Sequence, residues 1–166
     1  MRDSEIRFIR QLGYSTHPTR ELYAALMLQP RIVGGVLVLG TLFQSRWLFV
    51  MLSAALWLSA LVPTYNPFDA IYNHLIAHRR GLTPLGAAPN PRRFAAGLAG
   101  AVVLGIVAAF LLGATTTAWA LEGLLICAVA AVVFGSNCAG AALYHRLRRQ
   151  SPSEAGFTPT PHARRS

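Results

Sequence analysis

The sequence contains no lysine: all fifteen of its basic residues are arginine, set against six acidic side chains. Charge of any sign is scarce, at 13% of 166 residues, while 54% are apolar. That balance belongs to a membrane protein rather than to a soluble domain of this size. A phosphate-cradling glycine-rich loop, a nucleophile elbow and a Cys-x-x-Cys pair are also missing, so three common kinds of active site have no support. Met1 to Pro18 is polar and basic and lacks the uninterrupted apolar core of a signal peptide, so it is expected to stay on the protein. No long-period repeat is visible.

The arginines that are present are placed in groups. Arg2, Arg7, Arg10 and Arg20 precede the first apolar block and Arg31 sits at its edge. Arg79, Arg80, Arg92 and Arg93 lie in a middle segment, Arg146, Arg148, Arg149, Arg164 and Arg165 follow the last block, and Arg46 lies between the first two blocks. This is the positive-inside pattern for a chain with both termini and the middle loop in the cytoplasm. A net charge of +9 could suggest nucleic acid. These arginines flank apolar blocks instead of sharing one soluble face with polar and aromatic residues, which argues against a nucleic-acid partner.

Four apolar spans are expected, at about 30–44, 47–62, 94–112 and 119–144, giving an all-α integral membrane fold: an up-down bundle of four transmembrane helices. The first is the least well defined. It starts near Pro30, with Arg31 reaching back to the head groups, or it is one longer helix from Glu21 kinked at Pro30. Trp47 and Tyr65 flank the second span, which Pro63 ends. The third carries Gly97, Gly100 and Gly105, a small-residue spacing suited to close helix contact. Residues 1–29 form a basic cytoplasmic segment with a possible interfacial helix from Leu22, and residues 150–166 a disordered tail.

Between the two hairpins, Asn66-Pro67 and Asn90-Pro91 each read as a helix start. After the first, Phe68, Ile71, Tyr72, Leu75 and Ile76 trace one helical face, with Asp69, Asn73, Ala77 and Arg80 on the other. The spacing predicts a cytoplasmic amphipathic helix over 67–80 that lies along the membrane surface or on the ends of the bundle. Arg79 and Arg80 suit both its C-terminal dipole and anionic head groups.

Candidate chemistry is thin. Cys127 and Cys138 are eleven residues apart in the last span, roughly 16 Å along one helix face, too far for a disulfide. Cys138, nearer the cytoplasmic end, is the better candidate for a reactive thiol. His74 and His78 are four apart, a spacing that could place two imidazoles on a metal, though no glutamate accompanies them as in a zinc protease. Glu122, close to Trp119, is expected at the outer interface, and Ser136 and Asn137 are expected to hydrogen-bond across helices. No cofactor is implied.

Asn66-Pro67-Phe68-Asp69-Ala70-Ile71-Tyr72-Asn73, Pro89-Asn90-Pro91-Arg92-Arg93-Phe94-Ala95 and Phe134-Gly135-Ser136-Asn137-Cys138-Ala139-Gly140 with Leu143-Tyr144 are the stretches that resemble a bacterial membrane family, domain of unknown function 4395. The likeness covers most of residues 30 to 149 and implies no activity. Many members carry Cys-x-Gly-Cys in the last helix. Cys138-Ala139-Gly140-Ala141 keeps only the first cysteine, so the resemblance gives this chain no dithiol chemistry.

The expectation is therefore a multi-pass protein of the bacterial inner membrane. It is read as non-enzymatic, an accessory or scaffolding component that packs in the lipid bilayer against other membrane subunits or against itself. Arg79, Arg80, Arg92 and Arg93 are read as interface residues, and Gly97, Gly100 and Gly105 as helix-packing residues. The rivals are membrane thiol or sulfur chemistry at Cys138, and transport of a small ion or metal along Glu122, Asn137, His74 and His78.

Overall fold

The computed structural model describes residues 1–14, 18–62 and 64–150, with only the backbone of Gln150. Pro63 and residues 151–166, on which the end of the second span and most of the tail were placed, lie outside the described residues. All regular structure among the described residues is helical.

Helix α1 (Asp3–Gln11) lies within the segment read from sequence as merely polar and basic. Its start is closed by Glu5, whose carboxylate accepts from the Arg2 backbone N–H at 3.0 Å. Phe8 and Ile9, with Leu12 just beyond, are buried on one face. That apolar grouping was in the sequence, overshadowed by the charge around it.

Helix α2 (Arg20–Phe43) begins where the Thr19 hydroxyl accepts from the Leu22 N–H at 3.1 Å. It runs through Pro30 without ending, so the longer of the two expected forms of this helix is the one adopted. The absent N–H of Pro30 costs one rung of the ladder. A left-handed residue, Gln44 (φ 47°), turns the chain into α3 (Arg46–Leu61). At 16 residues α3 is about 24 Å long, short of the roughly 30 Å of hydrocarbon. Among the described residues, helices α2, α6 (Asn90–Leu111) and α7 (Thr115–Gly135) are the three that are long and apolar enough to cross a membrane.

The four long helices alternate in direction. One end of the bundle holds the start of α2, the end of α3, the start of α6 and the end of α7, and it gathers most of the arginines. We call it the basic end. The other, the turn end, carries Gln44–Ser45 and Leu112–Ala114. Leu37, Phe49, Leu56, Val103 and Ile106 make the centre of the core, and the Phe49 and Phe110 rings stack at 6.3 Å. The small residues of α6 are used inside the bundle. A Cβ at Gly97 would stand 3.3 Å from that of Ala60, one at Gly100 would stand 3.1 Å from the Trp57 ring, and one at Gly105 would meet Leu121 at 3.5 Å. The Ser53 hydroxyl closes the α3–α6 seam, donating to the Gly100 carbonyl at 3.0 Å.

Two features depart from the periodicity. The surface helix between the hairpins is α4 (Pro67–Tyr72), a wide π-turn (Asn73–Ala77) and a last short turn α5 (His78–Arg80), ended by Gly81 at φ 62°. Asn66 caps it, accepting from the Phe68 N–H at 3.1 Å. The other Asn-Pro, at Asn90, makes no side-chain cap. Secondly, the span expected over 119–144 is not one helix. It stops at Gly135, passes through left-handed Ser136 (φ 49°), and resumes as α8 (Ala139–Gln150).

Candidate functional site

Proline at the second position of α6 frees its first turn from the usual N–H pairing, and Arg92 follows it directly into the protein. Arg92, read from sequence as an interface residue, is 5% exposed. Its guanidinium is bidentate with Asp69 of α4, Nη1 to Oδ2 at 2.9 Å and Nη2 to Oδ1 at 2.5 Å. Gln29 of α2 accepts from Nε at 3.2 Å and from Nη2 at 2.8 Å. The hydroxyl of Tyr14, in the segment after α1, accepts from Nη1 at 3.0 Å. Four parts of the chain thus meet on one cation, and the planar fork of arginine is the side chain that can hold them together. Burial raises the Tyr14 phenol above its ordinary value, with the Arg92 charge acting the other way.

The pairing also corrects the face assigned to the surface helix. Asp69 and Ala77, read as outward, are buried with Phe68 and Tyr72, whereas Ile71 and Leu75, read as inward, are exposed. Asp69 faces in because Arg92 is there to meet it. The π-turn rotates the last residues of the surface helix out of register. Its Asn73 amide clamps the next loop, accepting from the Leu85 N–H at 2.8 Å and donating to the Leu85 carbonyl at 3.1 Å.

A second polar group sits where α7 gives way to α8. The Gln11 side chain donates to the Cys138 carbonyl at 2.9 Å and accepts from the Cys138 N–H at 3.2 Å. A ring nitrogen of His145 lies 2.9 Å from the Gln11 carbonyl, and the Tyr23 and Ser136 hydroxyls pair at 2.7 Å. Gly140 allows α8 to pack on α6: a Cβ there would fall 2.9 Å from Ala95 Cα. Between the two groups lies a cavity of about 110 Å³ with apolar walls, onto which Gln29, Arg92 and Cys138 open.

Of the residues singled out from sequence, Cys138 is at this break and not in a continuous helix with Cys127, so the three-turn spacing between them does not apply. Cys127 is exposed on α7, and both thiols are free. Burial pushes the Cys138 thiol up, with the backbone around Gly140 and Ala141 pulling weakly the other way. Its nucleophilic thiolate is therefore scarce near neutral pH. His74, His78, Arg79 and Arg80 are all exposed, and no cluster of metal-binding side chains occurs among the described residues. Arg93 folds over the end of α3, donating from Nε to the Ala60 carbonyl at 2.8 Å.

Glu122 sits near the turn end, beside Thr41 and Gln44, but is 2% exposed where it was expected at an interface. Asn137 is about 20 Å away along the bundle, at the basic end, and the two histidines are on the surface helix.

Sequence reasoning missed Tyr14, Gln11, Gln29 and the burial of Asp69. A signal existed for two of them, since Asp69 is the lone acid of the arginine-rich middle segment and Gln29 interrupts an otherwise apolar run.

The chain belongs to the family described as Domain of unknown function (DUF4395), whose sequence profile matches residues 25–149. No curated protein and no solved structure matches it. The matched region contains Gln29, Asp69 and Arg92, and leaves α1 and Tyr14 outside.

Proposed function

We propose that this chain is a four-span protein of the bacterial inner membrane, with both termini and the α4–α5 surface helix on the cytoplasmic side. Its role is that of a non-enzymatic accessory or scaffolding component packing against other membrane subunits. The topology rests on the arginines gathered at the basic end. The short α3 crosses as the inner partner of α6, with its missing length made up by local thinning of the bilayer.

The accessory role rests on the outward face of α7. Only 17% of its most apolar stretch is buried within the protein. Ala120, Gly123, Cys127 and Ala131 recur along it at three- and four-residue spacing, all exposed, and a Cβ at Gly123 would meet nothing within 4 Å. The comparable face of α6 is consumed inside the bundle. Small residues let helix backbones approach closely, and close approach is what drives association in lipid. A partner helix fits this face.

Extraction of the tagged native protein in mild detergent, followed by mass spectrometry, tests the proposal. A stoichiometric set of membrane subunits, lost in Gly123→Leu, is the expected result. A lone monomer in both the native protein and the variant would count decisively against it.

A further inference from the structure

Helices α2 and α7 leave a groove between them of about 290 Å³, with Arg31 at one end and Gly34, Gly35, Val38, Ile126 and Ala130 along it. Its walls are otherwise apolar, and Arg31 is the charged group on it. Arg31 is exposed and makes no salt bridge among the described residues, where the ion pair formed is that of Arg92 with Asp69. It stands twelve residues before Phe43, so about 18 Å from the turn end of α2. The hydrocarbon of a bilayer is roughly 30 Å thick. With the turn end at one interface, the Arg31 backbone lies inside the apolar layer, and its side chain has to reach toward the basic end for an anion.

No carboxylate among the described residues supplies that anion, whereas the membrane does, as phosphate. Below the guanidinium the groove floor is glycine. A Cβ at Gly35 would meet nothing within 4 Å, so an aliphatic chain can lie against the α2 backbone there. We propose that this groove binds one anionic phospholipid, its phosphate on Arg31 and an acyl chain along Gly35 and Ala130. The groove adjoins the outward face of α7, Ala130 lying nearly two turns from Gly123, but the site requires only that the chain lie in a bilayer, and lipid retention by the isolated chain is read separately from any partner subunit.

The test is native mass spectrometry of the full chain titrated with phosphatidylglycerol and with phosphatidylcholine carrying the same acyl chains. Retention of phosphatidylglycerol should exceed that of phosphatidylcholine by about fivefold, the effect of one arginine at a membrane surface. Arg31→Gln should remove the preference and Arg31→Lys should keep it. Gly35→Leu, which fills open space and leaves the core untouched, should lower retention of both lipids. Equal retention of the two lipids by the native chain overturns the proposal, as does an unchanged preference in Arg31→Gln. A dimer that closes the groove and carries no lipid overturns it as well.

Discussion

Gln11 and Cys138, 127 positions apart, pair as two peptide groups would: the side-chain amide of one gives and takes a hydrogen bond with the backbone of the other. The interruption between α7 and α8 leaves backbone groups that no helix can satisfy, and buried backbone groups left unpaired are costly. Gln11 answers for Cys138, and in doing so it fixes α1 against the far end of the chain. Gln11→Leu should lower stability by about 1–3 kcal/mol, as expected for stranded backbone partners. Hydrogen exchange should rise together at Phe8 and at Cys138; a rise at one site alone would show that they are not joined.

Loss of either member of the Asp69–Arg92 pair should be worse than loss of both. Asp69→Asn strands a buried cation, and Arg92→Leu a buried carboxylate, each costing about 3–5 kcal/mol. Asp69→Leu with Arg92→Leu should recover a large part of that. Arg92→Lys should not substitute, because an ammonium cannot reach Asp69, Gln29 and Tyr14 at once. Thermal unfolding of the four variants in one detergent decides the matter.

Gly140→Ala should destabilise the packing of α8 on α6 by about 1–3 kcal/mol, because the added carbon falls against the Ala95 backbone and cannot be accommodated by a rotamer change. Gly123→Ala, with open space around it, should be neutral in the isolated protein. Similar melting temperatures for the two variants would contradict this packing.

Cys138 should alkylate slowly at pH 8 in the folded protein and at least about tenfold faster once unfolded in sodium dodecyl sulfate, since the thiolate is the reacting form and burial disfavours it. Stability depends on pH through the same group. Below the ordinary thiol pKa both states keep the proton and the folded state loses nothing. As pH rises from there toward the raised folded value, only the unfolded chain ionises, and stability falls. Rapid labelling of the folded protein would reopen thiol chemistry at this site.

Asn73→Ala should release the loop after the surface helix, because the two hydrogen bonds to Leu85 come from that one side chain. Exchange at Leu85 should rise by one to two orders of magnitude, with melting lowered by about 1–2 kcal/mol. No change at Leu85 would mean that the loop is held by packing alone.

The helices could be read from the sequence because apolar content over many residues is a strong signal, and α2, α6 and α7 stand out by it. What could not be read was where single polar residues point. Arginine next to apolar sequence ordinarily goes to the head groups, and the rule that places Arg79 and Arg80 outside fails for Arg92, whose partners are 23, 63 and 78 positions away. Periodicity alone likewise assigned Asp69 to the outer face. The break at Ser136 was hidden for another reason: Gly-Ser-Asn-Cys is tolerated inside a membrane helix, and the interruption becomes visible only with Gln11 and Tyr23 beside it. The α6 glycines, read as helix-packing residues, pack within the bundle, Gly97 and Gly100 against α3 and Gly105 against Leu121 of α7.

Asp69 belongs to the connection made after the first hairpin, and Arg92 opens the second. During synthesis the carboxylate is therefore made first, and it stays without its partner until Arg92 follows and α6 packs beside it. A chain that stops before α6 leaves an unmatched acid, whereas a completed chain hides it. The pair thus distinguishes finished molecules from unfinished ones.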